Sequence, residues 1–149
     1  MSHPVHIDFW NTRHASSQTP WECNGVPANL QAFLNKKTKG TAPTSAGRGS
    51  VLIPGCGAGH EIMAFAEAGY DVTAIDYSGA AVSKAREKFG PGVADRIIIG
   101  DFFTHEFAPA SFDFVYERAF LCAFPPELRI AYRDRVAGLL KRGGDLIGY

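Results

Sequence analysis

The sequence predicts an α/β fold, a Rossmann-like open and mostly parallel sheet with helices on both faces. Three observations carry this. Short apolar runs alternate with helical patterns from Val51 onward. The first run closes on a glycine-rich turn, Gly55-Cys56-Gly57-Ala58-Gly59. Acidic residues then follow the second and third runs, at Asp76 and Asp101. Regular alternation of strands and helices calls for a parallel sheet covered on both sides.

Each element has a local reason. Val51–Pro54 is a short apolar strand, and His60–Ala68 carries apolar residues at helical spacing until Gly69 stops it. Tyr70–Asp76 is the second strand. Ser78 suits the N-cap of a helix through Phe89, which Gly90-Pro91 ends. Arg96–Ile99 and Phe112–Glu117 are the third and fourth strands. Pro126 fits the first turn of a helix to Leu140, with Leu128, Ala131, Tyr132, Val136 and Leu139 as its apolar stripe. Gly143-Gly144 is expected to end that helix, and Asp145–Tyr149 to start a fifth strand.

Residues 1–149 form a single domain in three parts. Residues 1–35 are a helical extension, broken around Ser16–Pro20. Residues 36–50, KKTKGTAPTSAGRGS, are polar and nearly free of large apolar side chains, which predicts a flexible connector. Residues 51–149 are the sheet core.

Fifteen basic residues balance fifteen acidic ones, so no global field recruits nucleic acid or an anionic membrane. No run approaches the roughly 18 apolar residues of a membrane span, and MSHPVHIDFW has no secretory-signal pattern. The three cysteines, Cys23, Cys56 and Cys122, are odd in number and widely spaced, which reads as free thiols in the cytoplasm. The five histidines are scattered without ligand spacing, so no metal is expected.

The glycine loop carries the chemistry. Its glycines permit a tight strand-to-helix turn and a close approach of a ligand to the backbone. A dinucleotide signature needs a glycine where this chain has His60, and the third glycine comes one residue early. The loop therefore suits a nucleoside cofactor without phosphate. Asp76, about 20 residues beyond the first glycine, can accept hydrogen bonds from both ribose hydroxyls. Asp101 can accept from an adenine amino group beside an aromatic neighbour. Either acid alone serves equally well as a turn residue. Three strand ends aligned on one loop favour the cofactor.

Four stretches resemble a known family: Phe9-Trp10 through Arg13 to Thr19-Pro20-Trp21; Ile53 to Glu61; Phe112 to Arg118; and Pro126-Glu127-Leu128-Arg129 through Leu139-Leu140-Lys141 to Gly143-Gly144. They are similar to the class I methyltransferases and, within them, to the thiopurine S-methyltransferase family, nearest its halide and thiol methyltransferase branch. The resemblance implies S-adenosyl-L-methionine as cofactor, with S-adenosyl-L-homocysteine as product, and a small soft acceptor (thiol, thiopurine, hydrosulfide or halide). By the same resemblance Trp10 and Trp21 close over the cofactor. Gly55 approaches its methionine part, with Cys56, Gly57 and Gly59 completing the loop. Asp76 holds the ribose, Asp101 and Phe102 flank adenine, and Tyr77 and Glu117 complete the binding set. Arg118 lies near sulfonium and acceptor. The family tends to have an aromatic residue where this chain has His14.

Two other readings stand beside the active enzyme: a cofactor-binding module without catalysis, and an NAD-dependent oxidoreductase half-domain, against which the shifted glycine speaks. The family fold implies seven strands, and this chain ends at Tyr149 within or just after the fifth. The expectation is a fragment, a truncated gene product, or a sheet edge completed by a partner or a second copy.

Overall fold

The computed structural model describes residues 7–20, 22, 25–39 and 47–149. Two helices come first, α1 (Ile7–Ala15) and α2 (Ala28–Thr38). The core then runs β1 (Ser50–Pro54), α3 (His60–Glu67), β2 (Asp71–Asp76), α4 (Gly79–Phe89), the single turn α5 (Pro91–Ala94), β3 (Ile97–Ile99), β4 (Phe112–Glu117), α6 (Pro126–Leu139) and β5 (Leu140–Gly148). All neighbouring strands are parallel, in the order β3-β2-β1-β4-β5.

The central strands β2, β1 and β4 are largely buried on both faces, as their near-continuous apolar runs require, whereas the edge strand β5 has no buried residue. Val51 and Ile53 pack with α2, α3 and α4 through Leu30, Leu34, Ile62, Phe65 and Val82. Leu52, between them, points to the other side, where Leu128, Tyr132, Val136 and Leu139 of α6 meet Phe112 and Val115 of β4. Burying each of these side chains stabilises the fold by roughly 1.5–3 kcal/mol before entropy is set against it. Ser78 caps α4 as its sequence position implies, its hydroxyl accepting from the Ala81 N–H at 3.2 Å.

Three expectations need correction. The helix before the connector does not stop at residue 35: α2 continues through Lys36, Lys37 and Thr38. Cations suit a helix carboxyl end, and the Lys37 ammonium lies 5.7 Å from the Phe33 ring centroid and 5.8 Å from that of Phe114. The rest of the expected connector, residues 40–46, lies outside the described residues.

Second, Gly143-Gly144 does not end α6. The helix stops at Leu139 and β5 starts at once, with Leu140 opposite Phe112. Phe114 then pairs with Asp145, so the residues between form a bulge. Gly143 has φ +80°, and a Cβ on Gly144 would lie 2.9 Å from the backbone oxygens of Asp113 and Lys141. The pair of glycines serves the bulge. Third, β5 starts five residues before the expected Asp145, because the bulge lets two stretches pair on one strand.

Asp113 ties this region to the start of β1. Its Oδ2 accepts from the Ser50 N–H at 2.8 Å and from the Lys141 ammonium at 3.1 Å. The Ser50 bonds, then Lys141, hold its carboxyl below the ordinary value against the opposing effect of burial. Because the folded value is depressed, its contribution is present above the ordinary carboxylate range and disappears as pH falls through the folded value. Asp113→Asn is expected to cost about 1 kcal/mol near pH 7, a low figure because the side chain is partly exposed. Urea unfolding should show that difference shrinking in strongly acidic buffer; a pH-independent difference would contradict the assignment.

Candidate functional site

The strand order reverses between β1 and β4, and the crevice at such a reversal, beyond the carboxyl ends of the strands, is where open parallel sheets bind ligands. Here it holds a cavity of about 290 Å³. The glycine loop forms its floor. Gly55, Gly57 and Gly59 have φ +62°, +53° and +86°, values that side chains with a Cβ rarely adopt. Close approach adds a second constraint. A Cβ on Gly55 would run into the Phe120 ring, and one on Gly57 would lie 2.8 Å from Glu22 Oε1.

Asp76 closes β2 beside the loop. Its Oδ2 accepts from the Gly57 N–H at 3.1 Å and its Oδ1 from the Ser78 N–H at 2.9 Å. Burial raises its pKa, and those two bonds oppose the rise. Each carboxylate oxygen keeps a second lone pair for another donor. Tyr77 follows, its hydroxyl hydrogen-bonded by the Trp10 indole N–H and its pKa raised mainly by burial. Asp101 Oδ1 accepts from the Phe103 N–H at 2.8 Å, which shapes the turn after β3. The ring of Phe102 stands edge-on to Phe103 and Phe120.

Arg118 and Glu61 meet across the cavity wall, with Nε donating to Glu61 Oε1 at 2.7 Å. Glu61 is in the first turn of α3, and Arg118 follows β4 on the same face as Tyr116. The Cys56 thiol is buried, and burial with the nearby Asp76 and Glu61 charges pushes its pKa well up. That keeps it a protonated filler instead of a nucleophile. His60, at the position of the missing glycine, is the first residue of α3. Burial and then Lys88, whose ammonium lies 3.0 Å from its Nε2, lower its pKa.

Trp10, Gly55, Cys56, Gly57, Gly59, Asp76, Tyr77, Asp101, Phe102 and Arg118 all line the one cavity. Trp21 lies outside the described residues. Glu117 is not among the lining residues; its Oε2 accepts from the Phe120 and Leu121 N–H groups at 2.9 and 3.2 Å and so shapes the turn that carries Phe120. Sequence reasoning assigned no role to Glu22, Glu61, Phe120 or Phe124, which also line the cavity. Glu61 had a signal, an acid in the first turn after the loop. Phe120 had none, since only the fold brings its ring onto Gly55.

Residues 5–148 match the sequence profile of the Thiopurine S-methyltransferase (TPMT) family. The chain belongs to that family. It is 35% identical over 142 residues to a probable thiol methyltransferase 2 of Arabidopsis thaliana, covering 93% of this chain and 59% of that protein. It is 30% identical to a thiopurine S-methyltransferase of Vibrio campbellii, covering 94% of this chain and 68% of that protein. The chain thus spans about three-fifths of the plant relative's length. Among solved structures, a phosphoethanolamine N-methyltransferase 2 of Haemonchus contortus in complex with S-adenosyl-L-methionine shares the fold, at TM-score 0.69 and 23% identity, over 97% of this chain and 35% of that one.

The Glu61–Arg118 pair is well shielded, with 7% and 19% of each side chain exposed. Removing one charge deprives the other of this shielded partner, at a cost of about 3 kcal/mol. Glu61→Gln is therefore expected to lower unfolding stability by that order. Adding Arg118→Met should recover most of it in a double-variant cycle; strictly additive losses would exclude the pairing.

Proposed function

We propose that the chain binds S-adenosyl-L-methionine and transfers its methyl group to a small soft nucleophile, a thiol, thiopurine, hydrosulfide or halide. The observation that carries this reading is the lining of one cavity by the glycine loop, Asp76 and Asp101, in a member of the thiopurine S-methyltransferase family. The donor set fits this cofactor. Among the described residues lining the cavity are four carboxylates (Glu22, Glu61, Asp76 and Asp101) and one guanidinium, that of Arg118. Such a field attracts a cationic nucleoside and repels a pyrophosphate. The relatives' names support the acceptor class.

Asp76 would hold the ribose hydroxyls and Asp101, with Phe102, the adenine. The glycine loop would lie along the methionine part, covered by Trp10, His14 and Glu22 of the amino-terminal segment. The cofactor supplies an electrophilic methyl, so the transfer is an in-line displacement. The protein's contribution is to align the reactants and keep water out. Apolar walls from Phe120 and Phe124 suit that exclusion. Arg118 would favour the anionic form of the acceptor, with Glu61 keeping its guanidinium in place. Among the described residues no helix is long and apolar enough to cross a membrane. Cys56 and Cys122 as free thiols support a reducing, cytoplasmic setting.

S-adenosyl-L-homocysteine at about a hundred times its Kd is expected to stabilise the chain by about 2.7 kcal/mol, whereas NAD should leave its melting temperature unchanged. The reverse pattern would overturn the reading in favour of an oxidoreductase module. A thiol acceptor has a pKa near 8.5. Loss of a neighbouring cation is expected to raise that value in the complex by about one unit. Arg118→Ala should therefore lower kcat at pH 7 about tenfold with a thiol and shift the rise of kcat with pH upward. An unchanged profile in labelled methyl-transfer assays would remove Arg118 from the mechanism.

A further inference from the structure

Among the described residues of the amino-terminal segment, apolar anchorage against the site is slight. Of residues 8–20 and 22, only His14 is buried. Polar contacts hold the segment at three places, one of them the exposed Lys84 ammonium donating to Ser17 Oγ at 3.0 Å. At the corner between β2 and α4, the Ser78 hydroxyl donates to Asn11 Oδ1 at 2.8 Å, and the Trp10 indole bonds the Tyr77 hydroxyl. On the glycine loop, Glu22 Oε1 accepts from the Ala58 N–H at 3.1 Å. His14 Nδ1 lies 3.6 Å from Oε1, while Thr19 Oγ1 donates to Glu22 Oε2 at 2.8 Å and so orients the carboxylate. Gly57 leaves it room.

We propose that Glu22 is a positioning residue that latches the amino-terminal segment to the glycine loop, so that the Trp10 wall and the loop grip the cofactor as one unit. This rests on the S-adenosylmethionine reading. A backbone N–H bonded to a carboxylate in a part-buried setting is a charge-assisted bond, stronger than a neutral one. With Asn11 docked at one end and Ser17 held between, closing the Glu22 contact holds a short stretch of chain at small entropic cost. The latch also brings Glu22 into the cavity lining, where the loop backbone meets the ligand.

The test compares Glu22→Ala and Glu22→Gln in the full chain by hydrogen exchange and by calorimetric titration with S-adenosyl-L-homocysteine. Glu22→Ala is expected to speed exchange of the Ala58 amide and of the α1 amides about tenfold, and to weaken S-adenosyl-L-homocysteine binding by a similar factor. Amides of β1 and β4 should keep their protection, which separates local release from misfolding. Glu22→Gln retains an oxygen acceptor without the charge and should restore part of both effects. Unchanged exchange in Glu22→Ala would overturn the latch. Faster exchange with unchanged affinity would overturn its link to the cofactor. If the unaltered chain takes up no S-adenosyl-L-homocysteine, the methyltransferase reading falls with that link, and the exchange comparison still decides the latch.

Discussion

Three glycines in five residues turn β1 into α3, and the backbone they leave bare is the surface against which the rest of the site is assembled. The Phe120 ring presses on Gly55 from the turn after β4, and the Glu22 carboxylate comes to Gly57 from the amino-terminal segment. Asp76 reaches the same backbone from β2 through the Gly57 N–H. Segments far apart in sequence thus converge on one loop because nothing projects from it. A side chain at either position would meet the atoms that now define the cavity, as well as carry a left-handed φ.

Charge gives this loop its chemical character. Among the described residues lining the cavity, carboxylates outnumber guanidinium groups, and that of Arg118 is tied to Glu61 at 2.7 Å. The parallel sheet makes this tolerable. Its strand ends open to one side, where carboxylates find backbone N–H donors in the turns that follow. Asp76 takes two such donors, and Asp101 takes the one from Phe103. Acids that would be costly in the apolar layers are satisfied at the rim.

Most of the core was legible because its elements are locally encoded. β4 lies at the expected Phe112–Glu117, and Ser78 caps α4 through its own hydroxyl. Where the reading went astray, a tertiary partner overrode the local signal. Gly143-Gly144 resembles a helix stop, but β4 draws the chain into pairing from Leu140, and the glycines absorb the register slip. Lys36 and Lys37 resemble the start of a polar connector, but the Phe33 and Phe114 rings extend the helix beneath Lys37. Glu117 belongs to the turn carrying Phe120, a role that no spacing along the strand encodes.

By itself the sequence determined the α/β class, the glycine loop without a dinucleotide signature, and the acids at the ends of β2 and β3, because strand alternation and turn chemistry act over a few residues. Only the tertiary structure decided which of these share a cavity, that Arg118 faces Glu61, and that Glu22 rests on the loop. These contacts join residues 36 and 57 positions apart. They depend on how the strands order themselves in the sheet, a property of packing that no local pattern contains.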